Sequence, residues 1–237
     1  MLLDNIYSIA DAGNLTLLVS LDLTAAFDTI DHAVVLKRLN CSFGITGTAY
    51  SWLQSYLTSK TQSVTIGTHS SPVATSTVGV PLGSVLGPLL FSIYTSPISA
   101  IAQSHHVCQQ QHTDDTQLFL ALSPANHTQS ISALQFCLKL SLYLVLRKWH
   151  GPQSKQISSI LFGTSQRLKS LSGFKSVNVA GAVIPLSDKV KILGATLDAN
   201  LTMAPYVKPL SSSCFCHIRS FWQIRPSLDD STHFFAP

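Results

Sequence analysis

The sequence predicts an α+β domain, and three observations predict it. Apolar runs of strand length, "LTLLVSLDL" (15–23), "FLALS" (119–123), "QISSILFG" (156–163) and "VKILGATLD" (190–198), recur along the chain. Segments with apolar residues near helical spacing stand between them. An apolar fraction of 46% over 237 residues is ample for a buried core, and no internal repeat or low-complexity tract interrupts it.

Taken in order, the first run follows the turn signal "DAGN" (11–14) and reads as a buried strand with Asp22 near its end. "DHAVVLKRLN" (31–40) reads as a helix, with Asp31 placed to cap its start and Lys37 and Arg38 in its last turn. "GTAYSWLQSYLTS" (47–59) reads as another helix, and "KTQSVTIGTHSSPVATST" (60–77) as a hairpin of short strands with Gly67 and Pro72 at its turns. The Gly/Pro-rich "GVPLGSVLGPLLFSIYTSPI" (79–98) enters a helix from about Ser84, whose hydroxyl is placed to cap it. "FLALS" is a strand beside Asp114 and Asp115, "SISALQFCLKLSLYLVLRKW" (130–149) a helix, and the runs at 156 and 190 are strands. The basic and aromatic stretch from 211 starts a helix without a partner inside this chain.

Charge narrows the function classes only a little. Lys and Arg number 15 against 11 acidic residues, all Asp, giving a net charge of +4 and a pI near 8.8. That permits an anionic partner such as nucleic acid without requiring one. Five irregularly spaced cysteines indicate neither a disulfide framework nor a paired zinc motif, so a reducing, intracellular setting (nucleus or cytoplasm) is expected. The N-terminus carries Asp4 and Asp11 and no basic segment, so it does not read as a secretory signal. The most apolar stretch, 131–146, is interrupted by Lys139 and is too short for a membrane span.

The chemistry-bearing residues are carboxylates. Asp22 ends one predicted strand, and Asp114 and Asp115 lie beside another, 92 and 93 positions later. Adjacent carboxylates repel, so a cation, a turn in open water or a cluster of donors must stabilise them. If the two strands are neighbours, the three side chains converge into an all-oxygen site suited to Mg²⁺. Two such ions would clamp the attacking and leaving oxygens of a phosphoryl transfer. A surface turn is the plain alternative.

"SLDLTAAFDTIDH" (20–32), "GITGTAYSWLQSYLTSKTQSV" (44–64), "GVPLGSVLGPLLFSIYTSPI" and "HTDDTQLF" (112–119), in this order, resemble the reverse transcriptase domain of non-LTR (LINE-type) retrotransposons. The likeness is most specific over residues 15–120 and continues more loosely beyond. It implies a polymerase palm: an antiparallel sheet backed by helices, with a partial fingers insertion at about 32–78. Residues 1–200 would form this unit, and 201–237 a thumb stub or helical tail. The implied reaction is RNA-directed DNA synthesis, with RNA template, DNA primer and dNTPs as partners. Asp22, Asp114 and Asp115 would be its catalytic, metal-holding carboxylates for two Mg²⁺ ions. Phe27 would be the aromatic gate under the sugar of the incoming nucleotide, where a 2′-hydroxyl is sensed. Taken alone, Phe27 reads as an ordinary core residue. Leu82 and Gly83 would line the nucleotide, with Gly79 and Pro81 allowing close backbone approach. Asp28, Asp31 and His32 also match, and read as turn and cap residues supporting Asp22.

The chain departs from the family's pattern in three places. Leu82 stands where the family carries a glutamine, whose amide could hydrogen-bond template or nucleotide. His112-Thr113 replaces an aromatic-Ala pair before the two aspartates. Lys155, the nearest candidate for the family's general-acid lysine, sits one residue too far from Phe162 and reads as a surface lysine. These departures define a second reading, a catalytically inactive, degenerate remnant that at most binds nucleic acid weakly or serves as an interaction module. The cluster Cys214, Cys216 and His217 does not match a tetrahedral zinc framework.

Overall fold

Residues Leu15–Asp22 form strand β1, whose first seven residues are all buried. In the computed structural model, which describes residues 2–22, 26–81, 83–113, 115–123, 127–145 and 157–225, β1 follows helix α1 (Leu2–Asp11). A 3-10 turn (Ala26–Thr29), α2 (His32–Cys41) and α3 (Gly47–Leu57) come next, then the short strands β2 (Lys60–Gln62), β3 (Thr65–Ile66), β4 (His69–Ser70) and β5 (Ala74–Ser76). The chain continues through α4 (Gly87–Thr95), α5 (Pro97–Ser104), β6 (Cys108–His112), β7 (Asp115–Leu122), α6 (His127–Val145) and β8 (Ile157–Phe162). It ends with α7 (Ser165–Ser170), β9 (Ser176–Val179), β10 (Ala182–Pro185), β11 (Lys189–Ile192), β12 (Ala195–Asp198) and α8 (Ala204–Ile224).

The main sheet has the order β6-β7-β1-β8, with every neighbouring pair antiparallel. Its two faces explain the unbroken apolar run of β1. Leu17, Val19 and Leu21 join a core with Val35 of α2, Phe91 and Tyr94 of α4 and Leu134 and Leu138 of α6. Leu18, on the opposite face, packs in a second cluster with Phe119, Ile160, Ile6 of α1 and Val190 and Leu197 of β11 and β12. A strand covered on both sides has no solvent face on which to alternate. The α+β class and the antiparallel sheet backed by helices are as the sequence predicts.

Several local expectations are corrected. The helix expected from Ser84 starts at Gly87, with Leu86 preceding it and no side-chain cap. Ser84 is occupied elsewhere: its hydroxyl contacts the Tyr56 hydroxyl and accepts from the Leu86 N–H, while its carbonyl closes a turn with the Gly87 N–H. Residues 190–198 are a hairpin rather than one strand, because Leu193 and Gly194 both have positive φ (47° and 84°). Ala180 and Gly181 turn β9 into β10 in the same way (51° and 95°). Two consecutive positive φ values are what a two-residue hairpin loop matched to strand twist requires. Gly67 turns the inner β3–β4 ladder, but Pro72 lies in the connection to β5, which pairs back with β2. The polar "CQQQH" is a strand although nothing in its pattern predicts one. It is the edge of the sheet, pairing with β7, where one row of backbone groups is already satisfied.

Beyond β12, the Asp198 carboxylate accepts from the Thr202 N–H and hydroxyl at 3.2 and 3.0 Å. Slight burial raises its pKa, but these bonds outweigh it and hold the group below its ordinary 3.8. The stabilisation is complete above that value and is lost as the pH falls through the lower folded one. Helix α8 then follows with none of its residues buried. No helix among the described residues is long and apolar enough to cross a membrane.

Candidate active site at the end of the central sheet

Register brings the carboxylates together. In the β1–β7 ladder Asp22 is the direct partner of Asp115, and in the β6–β7 ladder His112 is the direct partner of Asp115. Direct cross-strand partners share a face, with Cβ atoms about 4.5–5.5 Å apart. One end of the sheet therefore carries the row His112, Asp115, Asp22. Asp22 is exposed after seven buried residues, and Asp115 is half-buried. Asp114 lies outside the described residues, as do Leu82 and Lys155. Among the described residues no group of three His, Cys or Asp side chains converges as a metal cage. His112 is instead engaged by the Gln110 amide at 3.0 Å. Two facing carboxylates with no sulfur or ring nitrogen between them fit a hard divalent cation such as Mg²⁺.

Behind this row lies a second polar one that sequence reasoning missed. Ser20, Gln117 and Gln110 are cross-strand partners two residues back, on the carboxylate face by the period of two. Ser20 and Gln117 are buried, and both amide atoms of Gln117 are buried without a hydrogen-bond partner. A serine in the mostly apolar β1 and a glutamine in the mostly apolar β7 were the available signal.

The β6–β7 connection is two residues long and includes Thr113 at φ 54°. A β-branched residue there is strained. It is held by the Gln111 amide, which donates to the Thr113 carbonyl (3.1 Å) and to the Thr95 hydroxyl on α4 (2.8 Å). Thr113→Asn, better suited to positive φ, should stabilise the fold by about 1 kcal/mol, read as a rise in the urea midpoint at unchanged slope.

Phe27 sits in the 3-10 turn that follows Asp22. It is half-buried, its ring 5.7 Å from that of Phe91 at an angle of 56°. The Val80 N–H donates to its carbonyl at 3.0 Å. Gly79 has φ 86°, and a Cβ there would stand 3.3 Å from the Asp28 Cα and carbonyl oxygen. Its N–H donates to the Ile30 carbonyl, and its carbonyl meets His32 Nε2 at 2.6 Å. The close approach that Gly79 permits is thus made by this chain's own turn, whereas at Gly83 (φ 79°) nothing lies within 4 Å of a Cβ position. Gly79→Ala should cost about 1–3 kcal/mol and displace Phe27, measured by urea unfolding. Asp31 caps α2 through the Val34 N–H at 3.0 Å, as expected. Buried His32 supports Gly79 across 47 residues instead of the local turn, and Asp28 is exposed.

Comparison with known proteins bears on the family and the fold. The family described as Reverse transcriptase (RNA-dependent DNA polymerase) matches residues 2–197. The chain is 28% identical over 207 residues to the probable RNA-directed DNA polymerase from transposon BS of Drosophila melanogaster, covering 83% of this chain and 22% of that protein. To the RNA-directed DNA polymerase from mobile element jockey of the same organism it is 26% identical, covering 87% of this chain and 22% of the relative. It thus spans about a fifth of the length of these curated relatives. Among solved structures, apo telomerase from Candida tropicalis truncated from its C-terminal domain shares the fold, with a TM-score of 0.53 and 12% identity over 85% of this chain and 38% of that one. With a family match across most of its length, relatives from retrotransposons and a polymerase fold, the chain belongs to the reverse transcriptase (RNA-dependent DNA polymerase) family.

Proposed function

We propose that this chain is the palm, with a fingers-like insertion at about 32–78, of an RNA-directed DNA polymerase that adds dNTPs to a primer 3′-OH on an RNA template. The observation that carries the proposal is the Asp22–Asp115 cross-strand pair at the sheet end. In this reading Asp22 and Asp115, together with Asp114, hold two Mg²⁺ ions. Bound there, the metals would neutralise charge on the attacking and leaving oxygens. The register that puts both carboxylates on one face of the sheet supports a cation position preorganised for substrate.

Phe27, backed by Phe91, presents a fixed ring against the sugar and disfavours a 2′-hydroxyl. Gly83 leaves room for backbone to approach the nucleotide, and leucine at position 82 offers no amide to hydrogen-bond it. Residues 201–237 serve as the start of a thumb.

The test is incorporation of labelled dTTP on oligo(dT)-primed poly(rA) with Mg²⁺, beside an Asp115→Asn control. Incorporation abolished in the control supports a working polymerase. None from folded protein favours the non-catalytic remnant, the reading to which Leu82 and His112 point.

A further inference from the structure

Helix α3 carries Trp52 and Tyr56 one turn apart, on the same face. Their rings are stacked, with centroids 6.0 Å apart and planes 17° from parallel. Lys60, at the start of β2, places its ammonium 6.0 Å from the Tyr56 centroid. Trp52 is 56% exposed, so it contributes far less to the core than its size allows.

The lower ring of this stack is tied to the candidate active site. The Tyr56 hydroxyl is hydrogen-bonded to Ser84, in the loop that follows Gly79 and Val80. Those two residues donate in turn to the Ile30 and Phe27 carbonyls, eight and five positions after Asp22. The helix that carries the platform is thus bonded to the loop at Ser84, and the Gly79–Val80 segment before that loop is bonded to the turn that holds Phe27.

Charge selects the kind of occupant. Between Asp31 and Asp114 the chain has no acidic residue, while Lys37 and Lys60 are exposed and Arg38 lies over the Tyr94 ring. An aromatic face in a segment with cations and no anions is complementary to a polyanion that carries flat bases.

We propose that Trp52, backed by Tyr56 and flanked by Lys60, stacks an unpaired base of single-stranded nucleic acid, the template strand in the reaction proposed above. The inference rests on that reading for the identity of the strand, but binding requires no turnover. Trp52 supplies the π-face, Tyr56 fixes its orientation through Ser84, and Lys60 meets a backbone phosphate.

The experiment is fluorescence anisotropy on the full chain, with a labelled hairpin primer–template bearing an unpaired 5′ overhang and with the same hairpin blunt-ended. The overhang hairpin should bind more tightly. Trp52→Ala should weaken overhang binding by about tenfold and leave blunt binding unchanged, and Trp52→Phe should retain most of the affinity. Lys60→Ala should reduce the slope of log affinity against log salt by about 0.7. Overhang affinity unchanged in Trp52→Ala overturns the proposal, as does equal loss on both hairpins or a change confined to the chain's sedimentation. Binding to either hairpin is read without dNTPs and needs no turnover. An inactive polymerase would therefore leave this inference standing, and an unaffected Trp52→Ala would leave the polymerase reading standing.

Discussion

Asp115→Asn should lower dTTP incorporation by about a hundredfold or more while making the metal-free fold slightly more stable. The first effect follows from losing a ligand of the cation that would neutralise the developing negative charge of the reaction, an electrostatic contribution of that size. The second follows from register: Asp22 and Asp115 are direct cross-strand partners, and like charges so placed destabilise a sheet by about 0.2–1 kcal/mol. Asp22→Asn should behave in the same way, since the relation is reciprocal. The double variant should gain little more, because one neutral partner already removes the repulsion. Urea midpoints in chelator measure the stability change, and calorimetric Mg²⁺ titration reports the lost cation affinity. Lower stability in chelator, with activity retained, would show that the pair is a structural contact and not a cation site.

Phe91→Ala should cost about 3–5 kcal/mol, a large part of the 5–15 kcal/mol typical of a whole domain. Phe91 is completely buried in α4, within the core that joins β1 to α2 and α6, and its ring also supports Phe27. The substitution leaves a cavity where neighbouring side chains are close-packed and relax only in part. A functional loss should accompany it under conditions where the variant stays folded. With its backing gone, Phe27 should discriminate less well between dNTP and NTP, seen as increased ribonucleotide incorporation. Phe91→Leu, which keeps most of the volume, should cost about 1.5 kcal/mol or less and largely spare selectivity. A midpoint shift of less than about 1 kcal/mol for Phe91→Ala would show that the packing around α4 is looser than these contacts require.

Much of the site is legible in the amino-acid sequence, because its signals are local. The run at 15–23 marks a buried strand by composition, so Asp22 at its end is placed by counting. Asp31 is recognisable as a cap from its position before a periodic segment, and its bond to the Val34 N–H is the one a cap makes. Ser84 misleads on the same rule, since a hydroxyl that could cap a helix can as readily meet a tyrosine 28 residues earlier. Gly79 reads in sequence as room for a ligand. Only the contact with Asp28 shows that its missing Cβ accommodates this chain's own backbone. Strand β6 escapes detection because an edge strand needs no apolar alternation when one neighbour supplies its pairing. Trp52 reads as one more apolar position of a helix, and its stacking on Tyr56 is visible only in three dimensions.

The sequence by itself determined the class of the fold, the order of its main elements and the residue types available for chemistry. Periodicity, caps and turns act over a few positions, so they can be read along the chain. Pairing Asp22 with Asp115, burying Gln117 behind them and fastening the Gly79 turn to Phe27 were decided by the tertiary structure alone. Carboxylates 93 residues apart find their register through the two cores on either side of β1, and a slip of one residue in either strand would put them on opposite faces.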